Sequence, residues 1–190
     1  MTEANADKKR LGTEVEWMPM GEGGLTKDSE IQRVLSGTPL FRDIPKRDWR
    51  EIEGLFHKRK FSNDEIIFEI GTPGLGAYAI LNGEVRIVGE KKGMLVDLAR
   101  LKEGAFFGEM SLIDDSPRSA TAIAVGETYL IGFFRPQLLE LMKTRPKLGV
   151  VLMQRLAQIM AERLRVANQA LAECRDELEH HKMNGDEEAV

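Results

Sequence analysis

One stretch of the chain concentrates residues that can do chemistry: Phe106-Phe107-Gly108-Glu109-Met110-Ser111-Leu112-Ile113-Asp114-Asp115-Ser116-Pro117-Arg118-Ser119-Ala120-Thr121. Gly108, lacking a Cβ, lets the backbone approach a ligand closely. A helical turn opening at Glu109 and running through Met110 and Ser111 would present N–H groups that favour an anion. Ionised Glu109 only accepts hydrogen bonds, which suits a sugar hydroxyl. Arg118 can grip a phosphate with two parallel donors, which a lysine cannot do. Ser119 adds a small hydroxyl and a strand-edge N–H. Together these residue types make a pocket for a sugar phosphate.

Other chemistries lack their residues. The glycines at 71, 74 and 76 form neither a GxGxxG fingerprint nor a P-loop. His57, His180 and His181 are scattered between a helix end and the C-terminal region, so no metal centre is expected. No serine or cysteine stands in a recognisable activating context. The chain therefore reads as a binding protein rather than an enzyme, with no catalytic residue, no metal and no resident cofactor.

The elements that must hold the pocket follow from periodicity. Residues 1–28 read as a flexible N-terminal tail, rich in Glu, Lys and Gly without periodic apolar positions. Residues 29–57 carry two short helices, one capped by Ser29 and one opened by Pro45 with Trp49, Ile52, Leu55 and Phe56 on its apolar face. Over residues 58–135 the period falls to two. Short apolar runs at 66–70, 78–81, 85–88, 94–98, 119–125 and 129–134 are separated by turn residues, among them Asn82-Gly83, a strong hairpin signal. This predicts a mainly β fold, an antiparallel jelly-roll-like barrel with flanking helices. Residues 136–184 return to a helical period, opened by Pro136 and then by Pro146, and 185–190 read as a frayed acidic terminus.

Within the long helix, Met153, Ala157, Met160, Leu164, Ala167, Leu171, Cys174, Leu178 and His181 recur in steps of four and three. This heptad seam predicts a homodimer through that helix. The chain has 190 residues, 42% of them hydrophobic, with 27 Lys+Arg against 31 Asp+Glu and a net charge of −4. That balance argues against a broad nucleic-acid footprint. No apolar run approaches the length of a membrane span, and the single Cys174 suits a reducing compartment, so a cytoplasmic location is expected.

The run Phe107-Gly108-Glu109-Met110-Ser111-Leu112, followed by Ser116-Pro117-Arg118-Ser119-Ala120-Thr121, resembles the phosphate-binding cassette of the cyclic nucleotide-binding domain family. That family includes the catabolite activators and the regulatory subunits of cyclic-AMP-dependent kinase. Eight residues lie between Glu109 and Arg118, as in the kinase-subunit form. The similarity extends through Pro39-Leu40-Phe41, the Ile66 to Gly71 stretch and the run from Tyr78 to Val85, over about residues 38–170. The resemblance implies that Glu109 holds a ribose hydroxyl, that Arg118 holds the cyclic phosphate, and that the N–H groups of Ser111 and Ser119 complete the anion site. It implies a base lying between Val96, Leu98, Phe106 and the long helix. Ala167-Asn168 stand where activators present Thr-Ser, so Asn168 is the candidate for the base edge.

The ligand implied is cyclic AMP or cyclic GMP, with the choice open. Nothing after the long helix reads as a helix-turn-helix, so specific nucleic-acid binding is not expected, nor is a membrane partner. The expected function is a cyclic-nucleotide sensor that signals through its C-terminal helix to an unidentified downstream protein. The alternative is a ligand-free dimerisation or scaffolding module on the same fold.

Overall fold

The computed structural model describes residues 17–19, 28–91 and 93–187. Its centre is a pair of long antiparallel strands, β4 (Gly76–Lys91) and β7 (Thr121–Phe134), paired from Gly76 with Phe134 to Val88 with Thr121. Each of these strands joins two runs that the sequence pattern separates. Asn82-Gly83, expected as a hairpin turn, is instead a bend within β4, where the register shifts between Ile80, Asn82 and Glu84. Gly83 has φ 96°, and a Cβ there would meet Thr128 Oγ1 at 2.7 Å. Positive φ is the demand common to a type I′ turn and to this bulged bend, so the dipeptide signals both. Pairing on both sides of it decides for the bend. At its far end β4 turns back into the next strand, with Lys91 opposite Met94.

Around this pair the other strands fall into two sets. Beside the first half of β4 and the second half of β7 lie β2 (Phe56–Phe61), on Thr128 to Phe133, and β6 (Phe106–Phe107), on Tyr78 and Ala79. Beyond the bend, β3 (Ile66–Phe68) pairs with β7 and β5 (Met94–Lys102) with β4. Two layers thus share their central strands, the mainly antiparallel roll expected from the sequence. One face of these strands builds an interior of Phe61, Tyr78, Ile80, Val85, Phe107, Ala122, Ala124 and Leu130. On the opposite face Phe41, Phe56, Phe106 and Phe133 pack edge-to-face at 5.0 to 6.2 Å.

The helices depart from their signals at the ends. α1 (Asp28–Gly37) buries Ile31, Val34 and Leu35 at helical spacing. Ser29, expected as a cap, lies inside α1. α2 (Lys46–Glu53) starts after Pro45 and buries Trp49, whose indole N–H donates to the Ile44 carbonyl at 3.1 Å. It stops at Glu53, so Leu55 falls in a turn and Phe56 opens β2. α3 (Arg135–Thr144) and the 42-residue α4 (Pro146–Glu187) complete the chain. The fold divides into two compact units, Met1–Leu139 and Glu140–Val190. Within the second, a Cβ on Gly149 would lie 2.8 Å from the Cα of Met142, so a glycine is what lets α4 start so close to the end of α3.

Two expectations about the ends change. Trp17, Met18 and Pro19 lie within the expected tail, yet β1 (Met18–Pro19) adds to β2, with Met18 opposite Lys58 and Pro19 opposite His57. The remainder of that tail, 1–16 and 20–27, lies outside the described residues. At the other end Gly185, Asp186 and Glu187, expected to fray, continue α4; residues 188–190 lie outside the described residues, as do the side chains of Leu178 and His181.

Candidate functional site

The cassette is assembled by two glycines and a stapled loop. β6 ends at Phe107, and Gly108 then takes φ 74°, the left-handed conformation that glycine adopts without penalty. A Cβ there would come within 2.8 Å of Arg118 Nη1. One 3₁₀ turn, Glu109–Leu112, follows. The loop after it is set by Asp114, whose carboxylate accepts from both the N–H and the hydroxyl of Ser116. An ion pair between Asp115 and Arg135 ties the same loop to the start of α3. Arg118 is then fixed by its backbone: its N–H donates to the Thr72 carbonyl at 2.9 Å and its carbonyl accepts from Gly71 N–H at 2.8 Å. Arg118 therefore enters the interior from a defined point.

Its side chain is only 6% exposed and carries four bonds. Nη1 donates to the Gly108 carbonyl at 3.0 Å and to Ser111 Oγ at 2.8 Å. Nη2 donates to the Gly76 carbonyl at 2.8 Å and to the Tyr78 hydroxyl at 3.4 Å. The guanidinium carbon lies 4.0 Å from the centroid of Phe68 and 5.5 Å from that of Tyr78. Nε is buried and has no hydrogen-bond partner among the described residues. Burial pushes the guanidinium's pKa down from its ordinary value, while Tyr78 and Glu109 oppose that shift. The group remains a cation at neutral pH. Glu109 is 1% exposed, so a buried carboxyl group and a buried guanidinium share this site.

The structure thus brings Gly108, Glu109, Ser111 and Arg118 together. It treats the other candidates differently. Ser119 and Met110 are exposed, the latter by 51%. The Ser111 N–H, expected to face an anion, donates to the Gly108 carbonyl at 3.3 Å; it is the hydroxyl of Ser111 that reaches Arg118. Val96 and Leu98 stand on β5, 38% and 60% exposed. Phe106 is not on the interior face. Tyr78 is opposite Phe107 and Ala79 opposite Phe106, so Phe107 points inward and Phe106 joins Phe41 on the other side. The strand alternation places Phe106, expected to contact the base, on the face opposite the interior, and its neighbour Phe107 inside. Asn168 belongs to the second unit, on the exposed surface of α4.

Sequence reasoning missed Gly74, Gly76, Phe68 and Tyr78. A Cβ on Gly74 would fall 1.9 Å from Ser111 Oγ, so only glycine permits that approach. The signal for the two rings was present in the alternation of β3 and β4, which puts Phe68 and Tyr78 on the interior face. An open cavity of about 950 Å³ lies beside them, lined by Trp17, Arg59, Phe68, Tyr78, Arg118, Phe134 and Gln137 among others. Of the ligand-binding residues expected from the sequence, Arg118 alone lines it. No group of His, Cys, Asp or Glu able to hold a metal occurs among the described residues, and no helix there is long and apolar enough to cross a membrane.

Comparison with known proteins bears on this geometry. The family model of the cyclic nucleotide-binding domain matches residues 58–145. The chain is 34% identical over 135 residues to the cyclic AMP receptor protein of Thermus thermophilus, covering 70% of this chain and 61% of that protein. It is 28% identical over 97 residues to the cAMP-dependent protein kinase regulatory subunit of Mycosarcoma maydis, covering 51% of this chain and 18% of that one. A solved cyclic nucleotide-binding domain from Methylobacillus flagellatus superposes with a TM-score of 0.67 at 29% identity, over 76% of this chain and 82% of that structure. The chain spans less than two thirds of the length of both curated relatives.

Proposed function

We propose, from the premise that residues 58–145 are a cyclic nucleotide-binding domain, that this chain is a regulatory sensor of cyclic AMP or cyclic GMP. Arg118 takes the cyclic phosphate and Glu109 the ribose hydroxyl. Ser119 is proposed to add its N–H to the anion site, and the exposed Val96 and Leu98 to meet the base. The observation that carries the reading is the buried Arg118 with its Nε lacking a partner among the described residues. A buried donor left unmade costs about 1–3 kcal/mol, and an anionic ligand oxygen at Nε removes that cost. A relative described as a cyclic AMP receptor protein and another described as a cAMP-dependent kinase regulatory subunit support the ligand class. Neither chooses between adenine and guanine.

The output proposed is a change at α4 that a downstream protein reads. The exposed Leu164 and Leu171, 62% and 61% accessible, support a second copy of the chain covering that seam. A second reading, a ligand-free scaffolding module, has one observation in its favour. All four Nη hydrogens of Arg118 already meet protein acceptors, so the cation is largely satisfied without a ligand. Thermal unfolding of the full chain with cyclic AMP and with cyclic GMP separates the two. A ligand that binds only the folded state raises its stability by RT ln(1 + [L]/Kd). A rise with either nucleotide, lost in Arg118→Ala, is the expected result; no rise with both overturns the sensor reading.

A further inference from the structure

Trp17 belongs to the segment that reads as tail, yet it has a built seat. Its indole stacks on the Tyr78 ring with centroids 5.4 Å apart and planes at 17°. It meets Phe134 edge-on at 5.3 Å and Phe61 at 6.0 Å. Gly132 makes the room: a Cβ there would stand 3.0 Å from Trp17 Cζ3 and 2.9 Å from Phe134 Cζ. Backbone pairing of β1 with β2 holds the segment in register, so the contact is a docked strand and ring together.

The contacts continue from Trp17 to the phosphate-site cation. Tyr78 stacks in turn on Phe68, with centroids 5.8 Å apart and planes at 26°. Arg118 lies over Phe68 at 4.0 Å and donates to the Tyr78 hydroxyl at 3.4 Å. Three rings in series therefore end on the guanidinium. Trp17 also lines the cavity that Arg118 borders, so removing it enlarges that cavity beside Tyr78 and takes away the packing that fixes the tyrosine ring.

We infer that Trp17 is a positioning residue for Arg118. The docked N-terminal strand backs Tyr78 and Phe68, and so fixes the guanidinium before any ligand arrives. The inference rests on the cyclic-nucleotide reading above. Its physical content is preorganisation: an arginine already held in place loses less freedom when the phosphate binds, which is worth about 3- to 10-fold in Kd. By linkage, the nucleotide must favour docking of Trp17 by the same factor.

The test uses the full chain. Calorimetry with cyclic AMP and cyclic GMP on wild type, Trp17→Ala and Trp17→Phe measures affinity. Acrylamide quenching of the Trp17 emission, taken as wild type minus Trp17→Phe, measures docking. Trp49 supplies a constant background, being 4% exposed and bonded to Ile44 within the first helical segment. Trp17→Ala should bind about 3- to 10-fold more weakly while Trp17→Phe stays within about twofold of wild type, since its ring can still stack. Nucleotide should also protect Trp17 from quenching. Trp17→Ala binding as tightly as wild type overturns this inference and leaves the functional reading intact. Weaker binding with no change in Trp17 quenching also overturns it, because a packing role alone produces that result. No nucleotide binding by wild type overturns the functional reading itself, and the inference with it.

Discussion

Replacing Arg118 by lysine keeps the charge and removes the fork. In the structure four acceptors converge on the guanidinium: the carbonyls of Gly108 and Gly76, Ser111 Oγ and the Tyr78 hydroxyl. An ammonium has three donors, so at least one acceptor goes unmet. If a hydroxyl loses its partner it can rotate toward another, and the cost is about 1 kcal/mol; a buried carbonyl cannot, and the cost approaches about 3 kcal/mol. Lysine also loses the flat contact with Phe68 at 4.0 Å. Arg118→Lys should therefore fold with about 1–3 kcal/mol less stability by urea denaturation. Its effect on ligand is separate, because Nε, which has no partner among the described residues, is absent from lysine. Without Nε and without parallel donors, cyclic-nucleotide affinity should fall about 10- to 100-fold by calorimetry, or roughly 1.4–2.8 kcal/mol. A folded Arg118→Lys protein that binds within twofold of wild type would refute the assignment of Nε to the phosphate.

Three other outcomes are expected. Burial holds the Tyr78 phenol above its usual range, with Arg118 opposing the shift. The folded state therefore retains that proton more strongly than the unfolded chain, so stability is intact below about pH 10 and declines above it. The urea midpoint of Tyr78→Phe should fall less steeply between pH 8 and 11 than that of wild type, and parallel slopes would contradict the burial argument. Phe106→Ala should lower stability by about 3–5 kcal/mol, since the ring packs with Phe41, while the nucleotide affinity of the folded fraction stays unchanged; a selective loss of affinity would return Phe106 to the ligand site. Leu164→Glu with Leu171→Glu should convert a dimer to a folded monomer in sedimentation, and a wild type that sediments as a monomer with and without nucleotide would remove the proposed seam.

The alternation of residues 58–134 and the helix-opening prolines 45 and 146 were legible because each is a local rule. The same holds for the cassette: Gly108, Glu109, Ser111 and Arg118 lie within one loop and the turn before it, and the structure brings all four together. What local pattern left open was pairing. Asn82-Gly83 satisfies the positive φ of a hairpin and of a bulge alike, and only β7 running past both sides made it a bend. Phe106 and Phe107 are equally apolar; the register that sets Phe107 against Tyr78 decided which one faces inward, and a slip of one residue would exchange them. Trp17, Phe68, Tyr78 and Arg118 are spread over a hundred residues of chain, and no periodicity links them. They meet because β1 adds to β2 while β3 and β4 both pair with β7, so long-range strand pairing, which no short window of sequence encodes, places the ring stack behind the arginine.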